Sequence, residues 1–210
     1  MQPSSYASGE VPEKRERYKG PAVESMTPEQ KRIYDEISRT RTTGVAGPFA
    51  PWLANPAVAD HAQNLGRTVR YGLAQFGLKE SEMVILTVAA GTESRAEWEI
   101  HEGEALKAGV GERLIEAIAG TWGGGRVVDR NVFGEGESAE REWAIYSFAE
   151  ECCRRRTVGE ETYWRARELV GDAGLSELVA LVGYYNLVSM TLNVFEIEAP
   201  KKKEGRENGK

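Results

Sequence analysis

The chain has 210 residues, 40% of them hydrophobic and 23 of them glycine, a composition that folds around a core and excludes a disordered chain. Two adjacent cysteines, Cys152 and Cys153, and two histidines, His61 and His101, exclude a disulfide framework and a four-ligand zinc site. The net charge of −6 is uneven: residues 200–210 carry +3 and residues 1–20 carry +1, leaving the body near −10, so phosphate backbones are repelled and no nucleic-acid partner is expected.

In chain order, residues 1–25 read as a disordered leader. Thr27-Pro28-Glu29-Gln30 joins a capping threonine, a proline at the first helical position and a glutamine three residues on, which predicts a helix to about Arg39. Gly44, Gly47, Pro48 and Pro51 prevent its continuation. Asn55-Pro56 repeats the cap-then-proline start and opens a helix to about Phe76. The aromatics of the intervening loop, Phe49 and Trp52, serve either the core or a pocket mouth.

Met83 to Ala90 is a short apolar run that periodicity alone leaves open between buried strand and buried helix. The acids Glu80 and Glu82 at its start complement a helix dipole and favour the helix. A turn at Gly91–Ser94 precedes a helix over Arg95–Ala108 and a shorter one over Glu112–Ala119. Gly120 to Ser138 is a glycine-rich segment without the lysine and hydroxyl spacing of a phosphate loop, and is expected to be flexible or to cover a pocket. Helices follow over Ala139–Arg155, Glu160–Val170 and Ser176–Ile197. The last is almost uncharged from Leu178 to Val194, which suits a bundle centre or a subunit interface. Gly77-Leu78-Lys79-Glu80 is echoed by Gly174-Leu175-Ser176-Glu177, a match that two related helical halves, or any two helices starting after glycine, would produce. Residues 200–210 form a basic, disordered tail. No basic-then-apolar segment opens the chain; a cytoplasmic protein with no membrane partner is expected.

The stretch Arg95-Ala96-Glu97-Trp98-Glu99-Ile100-His101 carries the chemistry. Glu97 and His101 are four apart on one helix face, so the carboxylate can orient the imidazole and raise its pKa, an arrangement suited to proton transfer near neutral pH. The same spacing also describes a plain surface ion pair. Ferritin-like and zincin ligand patterns are absent, so no metal is expected.

Glu82-Met83-Val84-Ile85-Leu86-Thr87-Val88-Ala89, followed by Ala96-Glu97-Trp98-Glu99-Ile100-His101-Glu102-Gly103-Glu104-Ala105-Leu106-Lys107-Ala108-Gly109-Val110, resembles the carboxymuconolactone decarboxylase family, which shares its fold with alkyl hydroperoxidase D. The resemblance continues through Ile115–Ile118 and, more weakly, Leu181–Val188 and Leu192–Phe195. It implies an all-α, AhpD-like helical bundle over residues 26–199. In the hydroperoxidase branch a glutamate, a Cys-x-x-Cys pair and a histidine form the site; Glu82 and His101 match the first and last, while Ser94 and Glu97 stand at the cysteine positions. Dithiol peroxide chemistry needs an attacking thiolate and a resolving thiol, and Cys152 and Cys153 read as inert core residues, so peroxidase activity is disfavoured. The decarboxylase branch implies a lyase without cofactor, acting on a small carboxylated lactone or keto acid. His101 would donate the proton, Glu97 orient it, and Glu82 shape the site or relay the proton. Arg95, ahead of Arg67, Arg70 and Arg126, is the candidate substrate cation, with Ser94 and Trp98 beside it. The resemblance also implies a homo-oligomer. An alkyl-hydroperoxidase-like oxidoreductase and a non-catalytic helical oligomer are the alternatives.

Overall fold

The computed structural model describes residues 16–41, 44–124 and 126–199. They form eight α-helices: α1 (Pro28–Thr40), α2 (Phe49–Trp52), α3 (Pro56–Tyr71), α4 (Leu78–Gly91), α5 (Arg95–Lys107), α6 (Glu112–Ala119), α7 (Glu137–Arg155) and α8 (Glu160–Phe195). There is no strand among the described residues. α1 starts on the expected reciprocal cap: Gln30 N–H donates to Thr27 Oγ1 and Thr27 N–H to Gln30 Oε1. Asn55 Oδ1 accepts from the Ala57 and Val58 N–H groups and opens α3, which stops at Gly72, five residues before the Gly77 cap of α4. Phe49–Trp52, expected as loop, makes one helical turn whose aromatics are buried: Trp52 Nε1 donates to Thr191 Oγ1 at 3.0 Å.

α4 is the central helix. Every residue from Ser81 to Ala90 is buried, so this helix is covered all round, and α5, α6, α7 and α8 do the covering. Its β-branched residues weakly disfavour helix, but burial of the whole run outweighs that preference. Glu80 holds the start by accepting from Gly77 N–H and binding Arg141 at 2.7 Å. At the other end Ser94 N–H donates to Ala89 O and Glu93 N–H to Ala90 O, with Glu93 left-handed at φ 52°. This is a Schellman stop with glutamate where glycine is usual. It reverses the chain so that α4 and α5 lie side by side.

α8 breaks at Gly171, whose φ of 71° and ψ of 178° only glycine adopts readily. The two helices expected here are therefore two helical segments joined without a loop. By length and hydropathy α8 could cross a membrane, but half of its most apolar window is buried in the bundle, as in a core helix. Val179, Leu187, Met190 and Val194 leave an exposed apolar strip along it. Gly77 caps α4, whereas Gly174 lies inside α8 against Val170 and Gln75, so the two Gly-Leu-x-Glu segments occupy different structural positions. The second half of the glycine-rich segment is pinned rather than loose: Val128 N–H donates to the buried Tyr146 Oη at 3.0 Å, and Phe133 packs on Trp143 and Tyr146. Of the expected leader, residues 1–15 lie outside the described residues. Residues 17–19 lie against the end of α8, where Lys19 Nζ donates to the carbonyls of Phe195 and Glu196 at 2.8 and 2.6 Å, a cation at a helix C-terminus. The tail from residue 200 also lies outside them.

One close approach sets the distance between α3 and α8. A Cβ on Gly66 would stand 2.0 Å from Tyr184 Oη, and Tyr184 is only 5% exposed. Gly66→Ala is expected to cost about 1–3 kcal/mol through overpacking. Gly103→Ala, where nothing lies within 4 Å, should be neutral or stabilising by up to about 1 kcal/mol. Urea unfolding of the two variants checks this; equal effects would show that the α3–α8 contact yields freely.

Candidate functional site

From the reversal at Glu93, Glu82 lies about three turns back along α4 and His101 about two turns forward along α5, and the two side chains meet across the helix pair. His101 Nδ1 contacts Glu82 Oε2 at 2.8 Å, and Nε2 contacts Glu97 Oε1 at 3.1 Å, one turn earlier on the same helix. Arg70, from the last turn of α3, pairs with the other oxygen of Glu82. The Tyr185 ring of α8 stands edge-on to the imidazole, centroids 5.4 Å apart. Four helices thus meet at one imidazole.

All four polar side chains are withdrawn from water: 2% of Glu82, 4% of Glu97, 10% of His101 and 13% of Arg70 remain exposed. Burial alone drives His101 toward the neutral form, but the hydrogen bonds and charges of Glu82 and Glu97 outweigh it and raise the pKa from 6.5 to about 9. Geometry suits the same state. With both carboxylates ionised each only accepts, so the pair takes two N–H donors, which the imidazolium supplies. With Arg70 the cluster holds two cations against two anions, the balance that buried charge demands. Both imidazole nitrogens are occupied by hydrogen bonding, and no metal-holding group of His, Cys, Asp and Glu occurs among the described residues. Burial pushes the Tyr185 hydroxyl well above its usual range, so it stays protonated.

The candidate substrate residues fare differently. Ser94 is fully buried at the N-cap of α5, and its hydroxyl caps nothing. Trp98 is buried against Trp122, their centroids 5.8 Å apart, and its Nε1 donates to Glu102 at 3.3 Å. Arg95 is not at the cluster: its side chain is 85% exposed and paired with Glu99 at 2.9 Å. Six positions at about 100° each turn it some 120° from His101 around α5. A surface cleft of about 890 Å³, lined among others by Arg17, Lys19, Glu93, Arg95 and Asn193, includes none of Arg70, Glu82, Glu97 and His101. The cation at the cluster is Arg70. The signal for it was its place beside the buried α3 positions Gly66 and Val69. Tyr185 fell within the resembling stretch, but nothing in its spacing tied it to His101.

Comparison with known proteins places the fold. No family model and no curated protein sequence matches the chain. Among solved structures, an uncharacterised peroxidase-related protein from Silicibacter sp. TM1040 superposes with a TM-score of 0.68 at 12% identity, over 91% of this chain and 95% of that one. The debrominase Bmp8 superposes at 0.65 with 10% identity, over 87% and 92%. The Agrobacterium tumefaciens protein ATU0492, of unknown function and assigned to AhpD antioxidant defence, superposes at 0.57 with 14% identity, over 71% and 94%. The chain is an all-helical protein of the AhpD-like, carboxymuconolactone decarboxylase fold.

Proposed function

We propose that the Glu82–His101–Glu97 cluster is the proton-transfer site of a cofactor-free lyase that decarboxylates a small carboxylated lactone or keto acid. The supporting observation is the buried imidazolium clamped between two carboxylates. Loss of carbon dioxide from a carbon beside a carbonyl leaves an enolate, which needs a proton at carbon, and His101 is a charged donor held at one place. Glu82, itself anchored by Arg70, fixes the ring. Glu97, on the longer bond of 3.1 Å, is the partner that gives way to substrate and returns a solvent proton to the ring afterwards. Positioned acid–base catalysis supplies on the order of 10²- to 10⁴-fold, leaving the remainder to binding and enolate stabilisation. The same reading carries self-association of the chain, which suits the exposed apolar strip on α8.

The names of two fold neighbours favour a competing, peroxidase-related oxidoreductase. Against it, burial raises the Cys152 thiol to about 11 and the Cys153 thiol to about 12, so neither is an appreciable thiolate at neutral pH. One experiment separates the readings. Carbon dioxide release from a panel of carboxylated lactones and keto acids is measured for wild type, for His101→Ala, and for wild type after thiol alkylation. Loss of release only in His101→Ala is expected; wild-type rates in that variant rule out the lyase reading. Thiol-dependent peroxide consumption by the same samples would establish the oxidoreductase instead.

A further inference from the structure

Two buried serines lie on the helices that carry this site, Ser94 at the start of α5 and Ser189 within α8. Ser94 and Ser189 are both 0% exposed, and neither hydroxyl has a hydrogen-bond partner among the described residues. Buried hydroxyls are almost always paired, with protein or with ordered water, so two unpaired ones on the helices of the cluster mark places that a polar atom from outside the chain can fill.

Their register puts them on one seam. α5 and α8 run antiparallel, tied at one level by Asn193 Nδ2 donating to Thr92 O at 2.8 Å and at another by Tyr185 against His101. Ser189 is one turn from Asn193 and one turn from Tyr185 on the same i, i+4 ridge. It therefore stands level with Glu97, between the two ties. Ser94 is at the start of α5, one turn before Glu97, and leaves the first N–H groups of that helix without a side-chain cap. The positive end of a helix macrodipole and unpaired N–H groups favour an oxygen carrying negative charge.

We propose that the Ser94 and Ser189 hydroxyls, with the uncapped start of α5, bind the carbonyl oxygen of the substrate and hold the charge that develops on it. The proposal rests on the lyase reading and narrows its substrate to acids whose carboxylate is β to a ketone or lactone carbonyl. In the step, the bond between the α carbon and the carboxylate carbon breaks and carbon dioxide leaves. The electron pair left behind forms the enolate, whose oxygen accepts hydrogen bonds from the two serines. The α carbon then takes the proton from His101, and the carbonyl reforms. No oxidant or reductant enters.

The test uses the full chain and acetylacetone, which cannot lose carbon dioxide and whose enolate is visible in the near ultraviolet. Wild type at pH 7 is expected to bind it with growth of the enolate band. Ser94→Ala and Ser189→Ala should each weaken that binding roughly 10- to 100-fold, the loss of one hydrogen bond to a charged group. Circular dichroism confirms that the variants are folded, and an unfolding midpoint equal to or above wild type is expected because an unpaired hydroxyl has been removed. Binding unchanged in both serine variants, or no enolate band with wild type, overturns the proposal. Either failure leaves the proton-transfer reading standing if His101→Ala still abolishes carbon dioxide release; wild-type release by His101→Ala instead removes the reading on which the serine pair depends.

Discussion

Glu82→Ala is expected to destabilise the protein by about 3–5 kcal/mol, the range for removing one partner of a buried ion pair. The cost does not lie in the lost attraction alone. Glu82 serves Arg70 with one oxygen and His101 Nδ1 with the other, so its removal leaves two buried cationic groups sharing Glu97. A control shows why burial decides. Lys31 and Asp35 are 2.6 Å apart, yet their side chains are 46% and 59% exposed. Asp35→Ala should cost no more than about 0.5 kcal/mol. Glu82→Gln, which keeps the shape and one hydrogen bond, should fall between the two. In the paired variant Arg70→Met with Glu82→Leu no cation is left facing a missing anion except His101, which still has Glu97, so part of the loss should return. Urea unfolding reads all four. A Glu82→Ala cost below about 1 kcal/mol would mean that the cluster is solvated in solution and that its charges are not held as the geometry shows.

The second large effect is on pH. His101 has a folded-state pKa of about 9 against 6.5 for the free side chain. A raised pKa means that the folded state binds the proton more tightly, so the contribution is fully present below pH 6.5 and is lost as pH rises through 9. The difference corresponds to about 3 kcal/mol, of which about 2 kcal/mol should disappear between pH 7 and pH 9. Above pH 9 the buried thiols add a loss of their own, since their folded-state pKa values are also raised, so the informative window ends there. Unfolding free energy measured from pH 6 to 9 should slope downward in wild type and run nearly flat in His101→Gln. A wild-type profile as flat as that of the variant would place a neutral imidazole between the two carboxylates and remove the proton donor from the mechanism.

How much of this was legible beforehand differs between near and distant neighbours. Glu97 and His101 are four residues apart, and a helix of any stability brings such a pair together; the turn at Gly91–Ser94 that precedes the helix was visible in the chain. The all-helical class followed from the same punctuation, and where composition was ambiguous, at Met83–Ala90, the acidic first turn pointed to the helix that is present. Arg95 illustrates the limit. Proximity in sequence recommended it as the cation, but one residue moves a side chain by about 100° around a helix, and Arg95 faces water. Arg70, 31 residues before His101, is the cation that arrives. The glycine-rich segment illustrates another: composition permits mobility, whereas Tyr146 and Phe133 determine that its second half is held.

The sequence by itself thus determined the helices, the Glu97–His101 pair and the absence of a dithiol at the positions occupied by Ser94 and Glu97, because each depends on residue type and on spacings within one or two turns. Only the tertiary structure decided that the imidazole is clamped on both nitrogens, that Arg70 rather than Arg95 balances it, and that Ser94 and Ser189 are both buried without a partner among the described residues. Those depend on how α3, α4, α5 and α8 are packed together, and packing is set by the side chains of every helix at once. Burial is what separates the two readings of a glutamate and a histidine four residues apart: in water the pair is worth a few tenths of a kcal/mol, and inside the bundle it carries a proton to about pH 9.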